Sequence, residues 1–282
     1  MQIHTVGVLG CGLMGSGIAQ VAAQAGYRTI VREVDDAALQ TGLDRIRRFL
    51  DEGVARGKVT PEHRSQALAN LSGTTTFQEL EACDLVVEAI VENLREKQQA
   101  LAALEPVLKP HAVVASNTSS LCITELAAAT TRPDRFGGLH FFNPVPLMKL
   151  VEVIRALTTS DETHRTLLAF TRSLGKEPIE APDRPGFIVN RLLVPYLLEA
   201  VRAYENGLGS VEDIDKGMQL GCGHPMGPFT LLDFVGIDTT YYIAEIMFDE
   251  FKAPAYAPPP LMKRMVLAGR LGRKSGQGFY KY

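Results

Sequence analysis

Cysteine is scarce in this chain: four in 282 residues, Cys11, Cys83, Cys122 and Cys222, with no Cys-x-x-Cys pair among them. Such scattered thiols disfavour a zinc site and a disulfide framework, so no metal is expected, and they suit small buried residues in a reducing compartment. An excess of one charge is missing too. The formal net charge is −3 and there is no dense basic block, which argues against nucleic acid or an anionic membrane as principal partner. No apolar run approaches the roughly 20 residues of a membrane span. Met1 to Thr5 leads straight into the β-type run Val6 to Leu9, without the charged and apolar regions of a secretory signal. A cytoplasmic protein is therefore expected, although an organellar protein stripped of its transit peptide would read the same. What is present is a 46% hydrophobic, 22% charged chain, long enough for one large or two medium globular domains.

The amino-terminal end carries the first organised signal. Thr5 to Leu9 reads as a strand, Gly10-Cys11-Gly12-Leu13-Met14-Gly15 as a loop, and Ser16 to Ala25 as a helix stopped at Gly26. That is the order a dinucleotide site requires. Gly10 permits the tight turn, Gly12 lets backbone approach a pyrophosphate, and Gly15 lets the helix lie close to the strand, so that helix N-terminal amides hold the phosphates. The next strand, Thr29 to Val34, carries Glu33, placed to accept from the adenine-side ribose hydroxyls and to repel a 2′-phosphate, which favours NAD over NADP. Arg32 points to the opposite strand face and is expected to be a solvated surface residue.

A helical insertion follows. Leu39, Leu43, Ile46 and Leu50 form one apolar stripe, and Pro61 starts a second helix running to Asn70, so the segment reads as a helical hairpin. Arg45, Arg47, Arg48, Arg56, Lys58 and Arg64 outnumber the acids between 44 and 64. Such a run is either a solvated helix face or a local site for an anionic substrate. The doubly wound pattern resumes with a strand at Asp84 to Ile90, a helix from Arg95 to Leu108 and a strand at Ala112 to Ser116. Glu92-Asn93 and Asn117-Thr118-Ser119-Ser120 fall just beyond two strand ends, where the ligands of such sheets bind. Ser and Thr before Leu121 could equally cap a helix.

Residues 140–154 read HFFNPVPLMKLVEVI. Gly137 to Phe142 and Lys149 to Ile154 are strand-like, and the Asn-Pro-Val-Pro link forces a turn because proline lacks the ladder N–H. Folding back would set His140 beside Glu152, an imidazole held by a carboxylate and suited to general base work; a histidine on an apolar strand is equally a satisfied core residue. Beyond Asp183-Arg184-Pro185-Gly186 the chain becomes helix-rich, with Phe187 to Glu205, Phe229 to Val235 and Thr239 to Phe251 as apolar helices. The expected architecture is α/β: a Rossmann-type doubly wound sheet with a helical-hairpin insertion over 1–183, then a smaller all-helical domain over 184–282 whose apolar surface suits dimerisation.

The blocks GCGLMG at Gly10, DLVVEAIVEN at Asp84, ASNTSSL at Ala115, GLHFFNPVPLMKLVEVI at Gly138, PGFIVNRLL at Pro185 and HPMGPFTLLDFVGIDT at His224 span nearly the whole chain in order. Together they resemble the short-chain L-3-hydroxyacyl-CoA dehydrogenase family, and within it the bacterial-type 3-hydroxybutyryl-CoA dehydrogenases. The resemblance implies reversible NAD-dependent oxidation of an L-3-hydroxyacyl-CoA to the 3-ketoacyl-CoA, mainly on short chains. It implies His140 as general base, Glu152 as its orienting carboxylate, and Ser119 and Asn190 as hydrogen-bond partners of the substrate oxygen. It further implies NAD contacts from Glu92, Lys97, Ser119, Asn143 and Lys274, besides the Gly10 loop with Leu13 and Met14, and Glu33. Where mammalian members carry a serine and a lysine that contact CoA, this chain has Phe49 and Arg56; Arg56 can still bind a phosphate. A homodimer is expected. The rival readings are a dehydrogenase of the same architecture acting on a non-thioester hydroxy acid or sugar acid, and a crystallin-like NAD-binding protein without catalysis.

Overall fold

The computed structural model describes residues 2–282 and divides into two compact units, Met1–Asp183 and Arg184–Tyr282. In the first unit, β1 (Thr5–Leu9) is buried along its whole length, as expected of a strand covered on both faces. It is followed by α1 (Leu13–Gln24), β2 (Arg28–Arg32), α2 (Asp36–Ala55), α3 (Pro61–Ala69) and β3 (Leu71–Thr74). Then come β4 (Leu85–Glu88), α4 (Leu94–Leu104), β5 (Val113–Ser116), α5 (Ile123–Ala128), β6 (Phe136–Phe141), β7 (Leu150–Arg155), α6 (Asp161–Ser173) and β8 (Glu177–Pro182). The eight strands form one sheet in the order β3-β2-β1-β4-β5-β6-β7-β8. β1 to β6 run parallel; β7 is antiparallel to β6, and β8 is parallel to β7. The chain leaves β1 first toward β2 and then returns to its other side at β4, so a crevice opens beyond the carboxyl ends of β1 and β4.

Local chemistry explains the element ends. Asp35 caps α2 by accepting the Ala38 N–H at 2.7 Å, and Thr60 caps α3, which starts at Pro61 as the sequence predicts. Leu39, Ile46 and Leu50 of the α2 stripe are buried and Leu43 is half-buried. Truncating Ile46 or Leu50 to alanine would cost about 2–5 kcal/mol. The serines and threonines before α5 do not cap it: the Asp183 carboxylate does, accepting from Ile123 and Thr124 N–H at 2.8 and 2.7 Å. Arg32 is not a solvated arginine. Its guanidinium lies 4.2 Å from the centre of the Phe77 ring. Nor are the thiols uniformly buried: Cys11 and Cys83 are, Cys122 is half-buried and Cys222 is exposed. Neither α6 nor β8 is anticipated from the sequence, where no element is expected between Ile154 and Asp183.

The second unit is helical: α7 (Val189–Glu205), α8 (Val211–Cys222), α9 (Pro228–Val235), α10 (Ile237–Phe251) and α11 (Pro260–Leu267). Its core joins Val194, Leu197, Leu198 and Val201 of α7 to Phe229, Leu232, Ala244 and Met247. Two buried aspartates fasten it. Asp215 accepts from Phe229 N–H, Thr230 and Tyr280 O–H, while Asp233 accepts from the N–H groups of Phe279 and Tyr280 in the carboxy-terminal tail. Among the described residues no helix is long and apolar enough to cross a membrane.

Candidate active site

The glycine loop is shaped by contacts a side chain would break. Gly10 has φ 92°, and a Cβ there would stand 2.7 Å from the Ala89 carbonyl oxygen; a Cβ on Gly15 would collide with the Gly10 carbonyl, which is how α1 lies against β1. Gly12 faces open space instead. Its N-cap position on α1 carries no side-chain hydrogen bond, so the helix end keeps amides for an anion. Glu33, one residue past β2, accepts the Cys11 N–H at 2.6 Å and thereby sits at the loop. α2 braces the loop from behind. Gly42 packs on Cys11, and Arg45 donates to the Cys11 carbonyl at 3.1 Å and to Ser16 Oγ at 3.4 Å. Burial, with the Glu33 carboxylate adding to it, pushes the Cys11 thiol up to about 12.

Beyond β4 and β5 lies a network of charges. Glu88 and Lys97 are 0% and 1% exposed and pair at 2.6 Å; Ser116 Oγ donates to the same carboxylate at 2.5 Å. The Lys97 ammonium also lies 3.4 Å from Glu92. Glu92 in turn accepts from Thr118 Oγ1 at 2.5 Å, the Ser119 N–H at 2.9 Å and Ser120 Oγ at 3.2 Å. The loop that presents Ser119 is thus tied to two carboxylates sharing one buried cation. Asn93 is the N-cap of α4, accepting from Glu96 N–H. Val34 and Val91 are exposed apolar residues next to Glu33 and Glu92. Their only sequence signal is their place just after a strand.

His140 and Glu152 are register partners across β6 and β7. Both are buried, and His140 Nδ1 lies 2.6 Å from Glu152 Oε2. The other imidazole nitrogen, Nε2, lies 3.1 Å from Ser119 Oγ. So the structure brings together His140, Glu152, Ser119 and, through the Ser119 amide, Glu92. Asn143 is exposed in the turn after β6. Asn190 occupies the first turn of α7, half-buried, and Lys274 in the second unit pairs with Asp238 at 2.7 Å. Arg56, at the end of α2, is exposed and lies 3.4 Å from Glu52, whereas Arg47 and Arg64 are engaged with Asp44 and Asp51. Sequence reasoning missed Glu88, Ser116 and the loop contact of Arg45.

The family model described as 3-hydroxyacyl-CoA dehydrogenase, NAD binding domain, matches residues 5–184, and the model for the C-terminal domain of the same enzymes matches residues 186–282. The chain belongs to the 3-hydroxyacyl-CoA dehydrogenase family. Its first unit is the family's NAD-binding domain. The chain is 50% identical over 282 residues to a 3-hydroxybutyryl-CoA dehydrogenase of Mycobacterium tuberculosis, covering 99% of each chain. It is 48% identical over 287 residues to the human mitochondrial hydroxyacyl-coenzyme A dehydrogenase, covering 99% of this chain and 91% of that one. The crystal structure of (S)-3-hydroxybutyryl-CoA dehydrogenase from Ralstonia eutropha superposes with a TM-score of 0.95 at 46% identity, covering 100% of this chain and 99% of that one. A Rossmann-type sheet followed by a helical unit, expected from the sequence, is the fold these enzymes share.

Proposed function

We propose that this chain catalyses the reversible NAD-dependent oxidation of L-3-hydroxyacyl-CoA to 3-ketoacyl-CoA, acting mainly on short chains such as 3-hydroxybutyryl-CoA. The observation that carries the reading is the line Glu152–His140–Ser119, held at 2.6 and 3.1 Å at one end of the sheet that also bears the glycine loop. With Nδ1–H donating to Glu152, Nε2 keeps its lone pair and accepts the proton of the substrate hydroxyl; Glu152 then stabilises the imidazolium. NAD, when bound, would supply the acceptor for the hydride that leaves the carbon bearing that hydroxyl. Ser119, together with Asn190, donates to the substrate oxygen as it changes between alcohol and carbonyl.

The cofactor is held by the Gly10–Gly15 loop with Leu13 and Met14, by Glu33 at the ribose, and by Glu92, Ser119 and Asn143; Val34 and Val91 offer apolar surface to the adenine. Lys97 and Lys274 are further candidates for contact with the cofactor. Arg56 receives a phosphate of the CoA tail. A homodimer formed through the helical unit, in the cytoplasm, completes the reading, supported by exposed Leu192, Leu220 and Tyr242 on that unit. Sedimentation showing only monomer at working concentration removes the dimer.

An assay of NADH formation over a series of acyl-CoA lengths, with free 3-hydroxybutyrate and with NADP as comparisons, tests the activity. Turnover of 3-hydroxybutyryl-CoA with NAD is expected to exceed both. Faster turnover of the free acid would replace the proposal with a non-thioester dehydrogenase.

A further inference from the structure

Lys176, between α6 and β8, is 9% exposed, and its ammonium donates to two backbone carbonyls, Val145 O at 2.6 Å and Met148 O at 2.7 Å. Its hydrogen bonds go to carbonyls rather than to a carboxylate. A buried cation so placed is costly, and burial holds its pKa below the usual lysine range. An apolar residue could fill the same space without that cost, so the ammonium calls for a role beyond packing.

The carbonyls it takes belong to the turn between the two strands of the proposed site. Pro144 O accepts the N–H groups of Leu147 and Met148 at 2.9 and 3.0 Å, forming a compact turn whose further carbonyls face Lys176. Immediately after Lys176, Glu177 N–H donates to Lys149 O at 2.8 Å and begins the β7–β8 pairing. Val145, 2% exposed, presses on α1: a Cβ at Gly17 would come within 2.8 Å of Val145 Cβ. The turn therefore connects His140 and Glu152 at one side and rests on the cofactor helix at the other.

The geometry points to Lys176 as a positioning residue for hydride transfer, clamping the Asn143–Met148 turn so that the strand bearing His140 keeps its place relative to the glycine-loop helix. This rests on the proposed activity, and the test separates the two. In Lys176→Met, the rate of NADH formation in a single turnover of 3-hydroxybutyryl-CoA, normalised to NADH-binding sites, is expected to fall roughly ten- to a hundredfold, since small misplacements cost that much. Amide exchange at Leu147 and Met148 should speed up while that of β1 and β4 stays as in the wild type. A hydride step within twofold of wild type, however much the melting temperature drops, overturns the inference and leaves Lys176 a stabilising residue only. Should Lys176→Met fail to fold, Lys176→Gln, which keeps one donor group without the charge, is read by the same criteria. A wild-type enzyme silent on 3-hydroxybutyryl-CoA would fail the activity instead; the clamp is then read from the exchange of Leu147 and Met148 and from NADH binding, and unchanged exchange overturns it.

Discussion

Glu33 closes a loop of its own with Cys11: the carboxylate at the end of β2 accepts the Cys11 N–H at 2.6 Å through one oxygen and the Val34 N–H at 2.8 Å through the other. One acid thus orders the glycine loop and is also the residue proposed to hold the ribose. Glu33→Ala removes a charge-assisted hydrogen bond worth about 1.5–3 kcal/mol. NAD affinity should fall by roughly tenfold or more, and the preference for NAD over NADP should shrink because the repulsion of a 2′-phosphate is gone. Titrations of NADH and NADPH by fluorescence would show it; an unchanged preference counts against the assignment.

His140→Gln keeps a polar side chain in a buried place but cannot take a proton. Turnover is expected to drop roughly 10²–10⁴-fold, the usual size of a general base's contribution, with NADH affinity close to wild type. Near-normal turnover would end the role proposed for this histidine. Glu152→Gln should lose part of the same factor, since it keeps the ring's place and gives up the charge that steadies an imidazolium.

Glu88 and Lys97 make a sharper energetic prediction, because the two charges are 0% and 1% exposed. Removing Lys97 alone leaves the Glu88 carboxylate unbalanced and should cost about 3–5 kcal/mol, removing Glu88 alone should cost less because Glu92 still lies 3.4 Å from the ammonium, and Glu88→Gln with Lys97→Met should recover much of the Lys97 loss. Urea unfolding of the two single variants and the double variant measures the coupling. Additive losses would show that the pair does not act as a unit.

The thiols should differ in reactivity. Burial pushes Cys11 and Cys83 up to about 12, with Glu33 and Asp84 adding to it, so both stay protonated and inert near neutral pH. Iodoacetamide at pH 8 is expected to label exposed Cys222 first and half-buried Cys122 more slowly, with Cys11 and Cys83 labelled only on unfolding. Peptide mass mapping checks the order, and early labelling of Cys11 would contradict it.

Much of the site is legible in the sequence because its signals are local. The glycine spacing is fixed by contacts within one strand, loop and helix, and the pairing of His140 with Glu152 follows from two short strands and a proline turn. The supporting charges are not legible. Glu88 interrupts the apolar run Leu85 to Val91, and Lys97 stands in the charged run Arg95-Glu96-Lys97 on a helix; nothing local tells that the two meet in the interior rather than point to solvent. Lys176 is hidden for the same reason, since its partners are carbonyls some 30 residues earlier, in a turn whose position depends on α1. Arg45 reads as one of several surface cations until α2 is seen to lie against the glycine loop.

That last contact limits how the protein can be redesigned. Because Gly42 and Arg45 both bear on Cys11, the helix that carries Arg45, Arg47 and Arg48 of the hairpin also braces the glycine loop. A hairpin grafted from a relative to change acyl-chain preference would have to bring a glycine and an arginine in those two places. Without them, an exchange meant to alter one ligand would loosen the hold on the other.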